Sequence, residues 1–273
     1  MEPIRILNVV GRMDRGGIET MIMNIYRNID RNKVQFDFLA HYGKEADYND
    51  EIRSLGGKIY EMPVIKTTEK TYYNKFFQYR RALIEFFKNH QEYKVLHGHM
   101  TNTASIYMPI AKKYGNINCL ISHSHLTRAR QGLTGTVTNI LQIPLRKCAT
   151  EYFSCSNEAG KWLYKKKDFD NGKVRIVKNA IDSDLFVYNY EKRKKKREEL
   201  GINGNLVLGH IGRFFEQKNH DFLIDVFNEV YKMNDKAVLI LIGEGVLMTE
   251  IKGKVNKFGL DKNVIFLGLR SDI

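Results

Sequence analysis

Long apolar runs are missing from these 273 residues. None approaches the ~20 residues that a membrane-spanning helix needs. Cysteine is scarce too. Cys119, Cys148 and Cys155 are odd in number and lack metal-ligand spacing. They exclude a disulfide framework and read as small buried hydrophobes in a reducing compartment. No signal-peptide pattern precedes the strand-like MEPIRILNVV, so a cytoplasmic chain is expected. Negative charge is in deficit: 44 Lys and Arg face 31 Asp and Glu, a net +13. That excess narrows the partners to anions: nucleic acid, an acidic membrane surface or phosphorylated small molecules. The run KRKKKR (192–197) has neither an RNA-binding aromatic signature nor zinc-finger spacing beside it. It continues as the sign-mixed EKRKKKREEL, which reads as a solvated helix, and no nucleic-acid partner is expected.

What is present has an ordinary globular composition, 43% hydrophobic and 27% charged, in a chain long enough for two domains. IRILNVV (4–10) is a short apolar run ending at Gly11, followed by the loop MDRGG. From Ile18, apolar residues recur at Met21, Ile22, Ile25, Tyr26 and Ile29, one helix face. Strand patterns follow at 34–40, 56–63, 94–99, 118–122, 151–155 and 174–177, with helical stretches between most of them. A long helix spans about 73–90, with Phe76, Tyr79, Leu83, Phe86 and Phe87 on one side. This alternation predicts an α/β fold, a doubly wound parallel sheet over residues 1–188. A second series, β-α-β-α-β, occupies 189–273, its first helix (219–233) placing Phe222, Leu223, Val226, Phe227 and Val230 inward. Ser271 or Asp272 reads as the N-cap of a further helix, so this second Rossmann-like domain is expected to be incomplete.

Ligands of open parallel sheets sit at the carboxyl ends of strands, and the chemistry-bearing residues collect there. Gly16 and Gly17 follow the first strand, His97 and His99 close the fourth, and His123 and His125 follow the fifth. In the second series Gly212, Arg213 and Lys218 follow the first strand, Gly243 and Gly245 the second, and Arg270 the third. Two cations beside a helix N-terminus suit a diphosphate better than a carboxylate. The alternative is a pair of surface side chains matched to Glu216 and Asp221. GRMDRGG is neither G-x-G-x-x-G nor a P-loop, GEG at 243–245 is equally a plain turn, and the histidines lack HExxH spacing. A lone strand-end histidine is more often a structural hydrogen-bonder than a catalyst.

The order of these signals is specific. RGGIE, HSH, VKNAIDSDLF, GRFFEQKN, LIGEG and VIFLGLRSD succeed one another over nearly the whole chain. The series resembles the retaining glycosyltransferases of family four, nearest to members that build exopolysaccharide or capsule. Ala180 departs from the glycine usual in V-x-N-G-I-D. The resemblance implies a GT-B fold, two Rossmann-like domains facing a cleft. It assigns Arg213 and Lys218 to the diphosphate of a nucleotide-sugar donor, which is a UDP-sugar by expectation. It places Gly16 and Gly17 near the phosphates or acceptor, His123 beside the transferred sugar with His125 as the alternative register, and Arg270 at the base. No metal or other cofactor is implied. The family's E-x7-E pair would fall beyond Ile273, so weak donor binding and poor turnover are expected.

Two segments, 70–90 and 126–133, mix basic residues with aromatic or apolar ones. Either they rest on anionic lipid and admit a lipid-linked acceptor, or 73–90 is a core-facing helix with a basic solvent face. The acceptor is otherwise a growing glycan. A sugar-nucleotide epimerase and a catalytically inert sugar-nucleotide-binding protein are the competing readings.

Overall fold

Apolar runs too short for helices, most of them ending at a glycine or small polar residue, become the strands. A computed structural model describes residues 2–41, 45–63, 72–127, 142–270 and 272–273. The chain divides into two units, Met1–Ser183 and Asp184–Ile273.

The first unit contains β1 (Ile4–Val10), α1 (Gly17–Asn28), β2 (Val34–Ala40), α2 (Asn49–Ser54), β3 (Ile59–Glu61), α3 (Tyr72–Asn89), β4 (Val95–Gly98) and α4 (Ala104–Gly115). It continues with β5 (Cys119–Ser124), α5 (Leu145–Cys148), β6 (Glu151–Ser154), α6 (Asn157–Leu163), α7 (Lys166–Asp170) and β7 (Val174–Ile176). Its sheet runs β3-β2-β1-β4-β5-β6-β7, with every neighbouring pair parallel. The order reverses between β1 and β4, which makes their carboxyl ends a topological switch point.

Both faces of this sheet are covered, so central strands are apolar on both sides. Leu7 and Val9 of β1 join one core with Leu83, Phe87, Leu96 and Tyr107. Val10 joins the other, with Met21, Ile22, Tyr26, Phe36 and Phe38. Among the described residues, one carboxylate lies in this interior. Asp37 on β2 is fully buried and takes Arg5 Nε at 2.6 Å, Arg5 Nη2 at 2.5 Å, the Tyr93 hydroxyl at 2.7 Å and the Lys58 backbone N–H at 2.7 Å.

The second unit contains α8 (Tyr190–Leu200), β8 (Leu206–Ile211), α9 (His220–Met233), β9 (Ala237–Ile242), α10 (Met248–Lys257) and β10 (Val264–Gly268), with the parallel order β10-β9-β8. The basic run forms α8. Asn189 caps it by accepting from the Lys192 N–H at 2.9 Å, Gly201 ends it at φ 67°, and none of its residues is buried.

Two expectations need correction. On α9, Phe227 is buried and Leu223 and Val230 pack against the core as expected, but Phe222 is 61% and Val226 41% exposed, and His220 and Ile224 are buried in their place. The core stripe is thus turned from the one that the apolar count predicts. β5 also extends to Ser124, so His123 lies inside the strand and only His125 follows it.

Candidate functional site

In the second unit, the loops leaving β8 and β9 lie against each other and continue the ladder beyond the strands. Gly212 N–H donates to Ile242 O at 2.9 Å, Phe214 N–H to Glu244 O at 2.9 Å and Leu247 N–H to Phe214 O at 3.1 Å. This approach requires the glycines. A Cβ on Gly243, whose φ is +135°, would meet Gly212 O at 2.2 Å, and one on Gly245 would meet Phe214 O at 2.5 Å. Gly243 and Gly245 are therefore placed against protein backbone.

Phe214 turns inward, fully buried, and stacks on His220 with ring centroids 4.1 Å apart. Its neighbours Arg213 and Phe215 consequently face solvent. A 3-10 turn (Glu216–Lys218) and Asn219 in the left-handed region at φ 49° then lead into α9. The Lys218 stem packs along Gly212, where an added Cβ would stand 3.1 Å from its Cγ and Cδ.

The two cations do not pair with the acids proposed for them. Asp221 instead takes Lys254 Nζ at 2.7 Å, and neither Arg213 nor Lys218 joins an ion pair among the described residues. Two exposed cations thus stand at the carboxyl end of β8 beside the start of the 14-residue α9, whose positive end adds to their field. Lys218 charge already acts locally. Burial first, then Lys218, lowers the His210 pKa, and burial, His210 and Lys218 lower that of His220.

Arg270 differs. Its guanidinium grips Asp272 at 2.7 and 2.6 Å and reaches Glu199 at 3.4 Å, while Lys196 pairs with both acids. Its side chain is engaged at α8. Ser271 lies outside the described residues.

In the first unit, Gly16 caps α1 in extended conformation and Gly17 is exposed, with open space where a Cβ would stand. The helix start is therefore bare backbone. Across the switch point, His97 of β4 and His99 just after it, with His123 of β5 and His125 just after it, form a stacked group. His97 Nε2 lies 3.1 Å from His123 Nδ1, and His99 Nδ1 lies 2.9 Å from His125 Nε2. Burial lowers all four pKa values, to about 3 for His97, about 2 for His123 and about 4 for His125, and to well below normal for His99. The rings are neutral at pH 7. His123, expected beside a sugar, is fully buried, whereas His125 is half-buried at the strand end. Reading along the chain gives no sign of the pairing, because it arises from parallel register: Val95 pairs with Cys119, which brings two H-x-H segments side by side.

The aromatic stripe of α3 is core. Tyr79, Leu83, Phe86 and Phe87 are buried, while Arg80, Arg81 and Lys88 face water. Residues 70–71 and 128–133, in the other basic stretches, lie outside the described residues. No described helix is long and apolar enough to cross a membrane.

A family model described as Glycosyltransferase Family 4 matches residues 15–185, and one described as Glycosyl transferases group 1 matches 192–273. The chain is 31% identical over 273 residues to the putative glycosyltransferase EpsF of Bacillus subtilis, covering 98% of this chain and 69% of that protein. It is 23% identical over 273 residues to the capsular polysaccharide biosynthesis glycosyltransferase CapH of Staphylococcus aureus, covering 97% and 70%. Among solved structures, Anabaena Alr3699/HepE in complex with UDP and glucose superposes with a TM-score of 0.77 at 17% identity, over 98% of this chain and 70% of that one. A glycosyltransferase from Rickettsia africae gives 0.69 at 14% identity, over 100% and 70%. At such identities these structures show a shared GT-B architecture.

Proposed function

The chain belongs to glycosyltransferase family 4, and from that premise we propose that it moves a hexosyl or N-acetylhexosaminyl group from a UDP-sugar to a growing glycan or lipid-linked acceptor, with retention of configuration, in the synthesis of an exopolysaccharide or capsule. The observation that carries this reading is the exposed Arg213 and Lys218 at the carboxyl end of β8, with no acidic partner among the described residues. The UDP complex of the Anabaena structure and the names of EpsF and CapH support the donor and the pathway class.

Breaking the glycosidic bond puts negative charge on the departing nucleoside diphosphate. A guanidinium and an ammonium fixed beside a helix N-terminus stabilise that charge more as it grows, which lowers the barrier and not merely the KM. The planar guanidinium reaches two phosphoryl oxygens at once, and Lys218 acts as a point charge. Two protein cations supply neutralisation that a divalent ion supplies elsewhere, in line with a metal-independent transfer. On the first unit, the start of α1 offers the Gly17 backbone N–H to phosphate or acceptor oxygens, the Gly16 N–H being donated to Asp14 O at 2.8 Å. His125 is the ring for the transferred sugar, because His123 behind it has no exposed surface.

Incubation with a panel of UDP-, GDP- and ADP-sugars, with and without acceptor, tests the proposal. Acceptor-dependent release of UDP and an α-linked product by NMR are expected from an α-linked donor. An inverted product would end the retaining mechanism. Acceptor-independent formation of an epimeric donor would favour the epimerase.

A further inference from the structure

His125 apart, the histidine group holds chemistry that the transfer reading does not use. Alternate residues of a strand share one face, so His97 and His99 stand together, as do His123 and His125. Centroid separations are 4.1 Å within each strand and 5.2, 5.3 and 5.2 Å across the strands for the pairs His97–His123, His99–His123 and His99–His125. Four neutral imidazoles carry four N–H donors and four lone pairs, yet only two hydrogen bonds form among them. His99 Nε2, His123 Nε2 and His125 Nδ1 are buried without a partner. Orphaned polar atoms in such a number call for an explanation, and a cation that takes up lone pairs supplies one.

His97, His99 and His123 can each present one ring nitrogen such that all three lie within 4.8 Å of one another. An ion held at about 2.0–2.1 Å from each nitrogen requires these atoms to draw closer on binding. We propose that these three histidines bind one divalent transition-metal ion of the zinc class, with His125 as the outer partner that orients His99. An all-imidazole set favours zinc, cobalt, nickel or copper over magnesium or calcium, which prefer oxygen. Three protein ligands leave a fourth position open to water or another donor. His99 donating or accepting at His125 fixes its tautomer and leaves Nε2 for the ion, as ligating histidines are usually held. Burial keeps the rings deprotonated at neutral pH, the form that ligates. This site stands independently of the transferase reading.

Tag-free protein, stripped with a chelator and dialysed, is titrated with Zn2+ or Mg2+ alone by calorimetry and with Co2+ by visible absorption. One Zn2+ per chain, a raised unfolding temperature and the strong bands of four-coordinate cobalt are expected, with no response to Mg2+. His97→Gln should weaken zinc at least tenfold, and His125→Gln about 10- to 100-fold, the usual effect of losing an outer partner. X-ray absorption on zinc-loaded wild type needs no variant and should count three imidazoles. Absence of zinc binding, fewer than three imidazoles, or equal affinity in a folded His97→Gln protein overturns the proposal.

Discussion

Acid should unfold the first unit well before its carboxylates titrate. His41 is buried, 3% exposed, with Nδ1 3.1 Å from Val10 O and Nε2 2.5 Å from the Tyr79 hydroxyl, and burial lowers its pKa to about 4. Together with His97, His99, His123 and His125, five imidazoles are held neutral in the fold. Their hydrogen bonds go to one another, to a carbonyl and to a phenol. The unfolded chain protonates each near pH 6.5, so between 6.5 and the folded values it binds more protons and stability falls with pH. Each ring then costs about 2 kcal/mol at pH 5 relative to pH 7, and the five together about 10 kcal/mol. That is comparable to the whole stability of a domain. Urea denaturation of chelator-stripped protein, followed by circular dichroism from pH 7.5 to 5, should show the midpoint collapsing. Unfolding at pH 5.5 should take up about four to five protons, read as the buffer dependence of the calorimetric enthalpy. A stability that is flat or rises on acidification would refute the neutral-imidazole account.

Two substitutions probe the supports of the sites. Asp37→Ala strands Arg5, the Tyr93 hydroxyl and the Lys58 N–H in the first unit and should cost about 3–5 kcal/mol in its unfolding transition. A loss below ~1 kcal/mol, measured by calorimetry, would mean that water satisfies them. Gly243→Ala forces a Cβ toward Gly212 O in a left-handed conformation. It should destabilise the second unit by about 1–3 kcal/mol and weaken UDP binding by displacing the Gly212–Arg213 loop. Unchanged UDP affinity by calorimetry would disconnect the glycines from the cations.

Much of this architecture is legible in the sequence, because most strands are apolar runs stopped by a glycine, histidine or serine at the carboxyl end. The seven strands of the first sheet and the three of the second appear where those runs lie. The glycines at 212, 243 and 245 are visible as well, but not their reason, which is contact between two loops 30 residues apart along the chain. The buried face of α9 is only partly legible, because Phe222 and Val226 are apolar yet exposed, while His220, a polar residue, is buried under Phe214. The imidazole group was missed for the same kind of reason. H-x-H is unremarkable alone, and only parallel register sets one copy beside the other. Propensity and periodicity report what a residue does with its own element, whereas these features arise between elements.

The most direct test of the central claim is calorimetric titration of wild type and of an Arg213→Ala, Lys218→Ala variant with UDP and with UMP. Each cation should contribute a charge-assisted contact of about 1.5–3 kcal/mol. The account predicts that wild type binds UDP far more tightly than UMP, and that the double variant binds the two nucleotides alike. A variant that keeps the full preference for the diphosphate would contradict it.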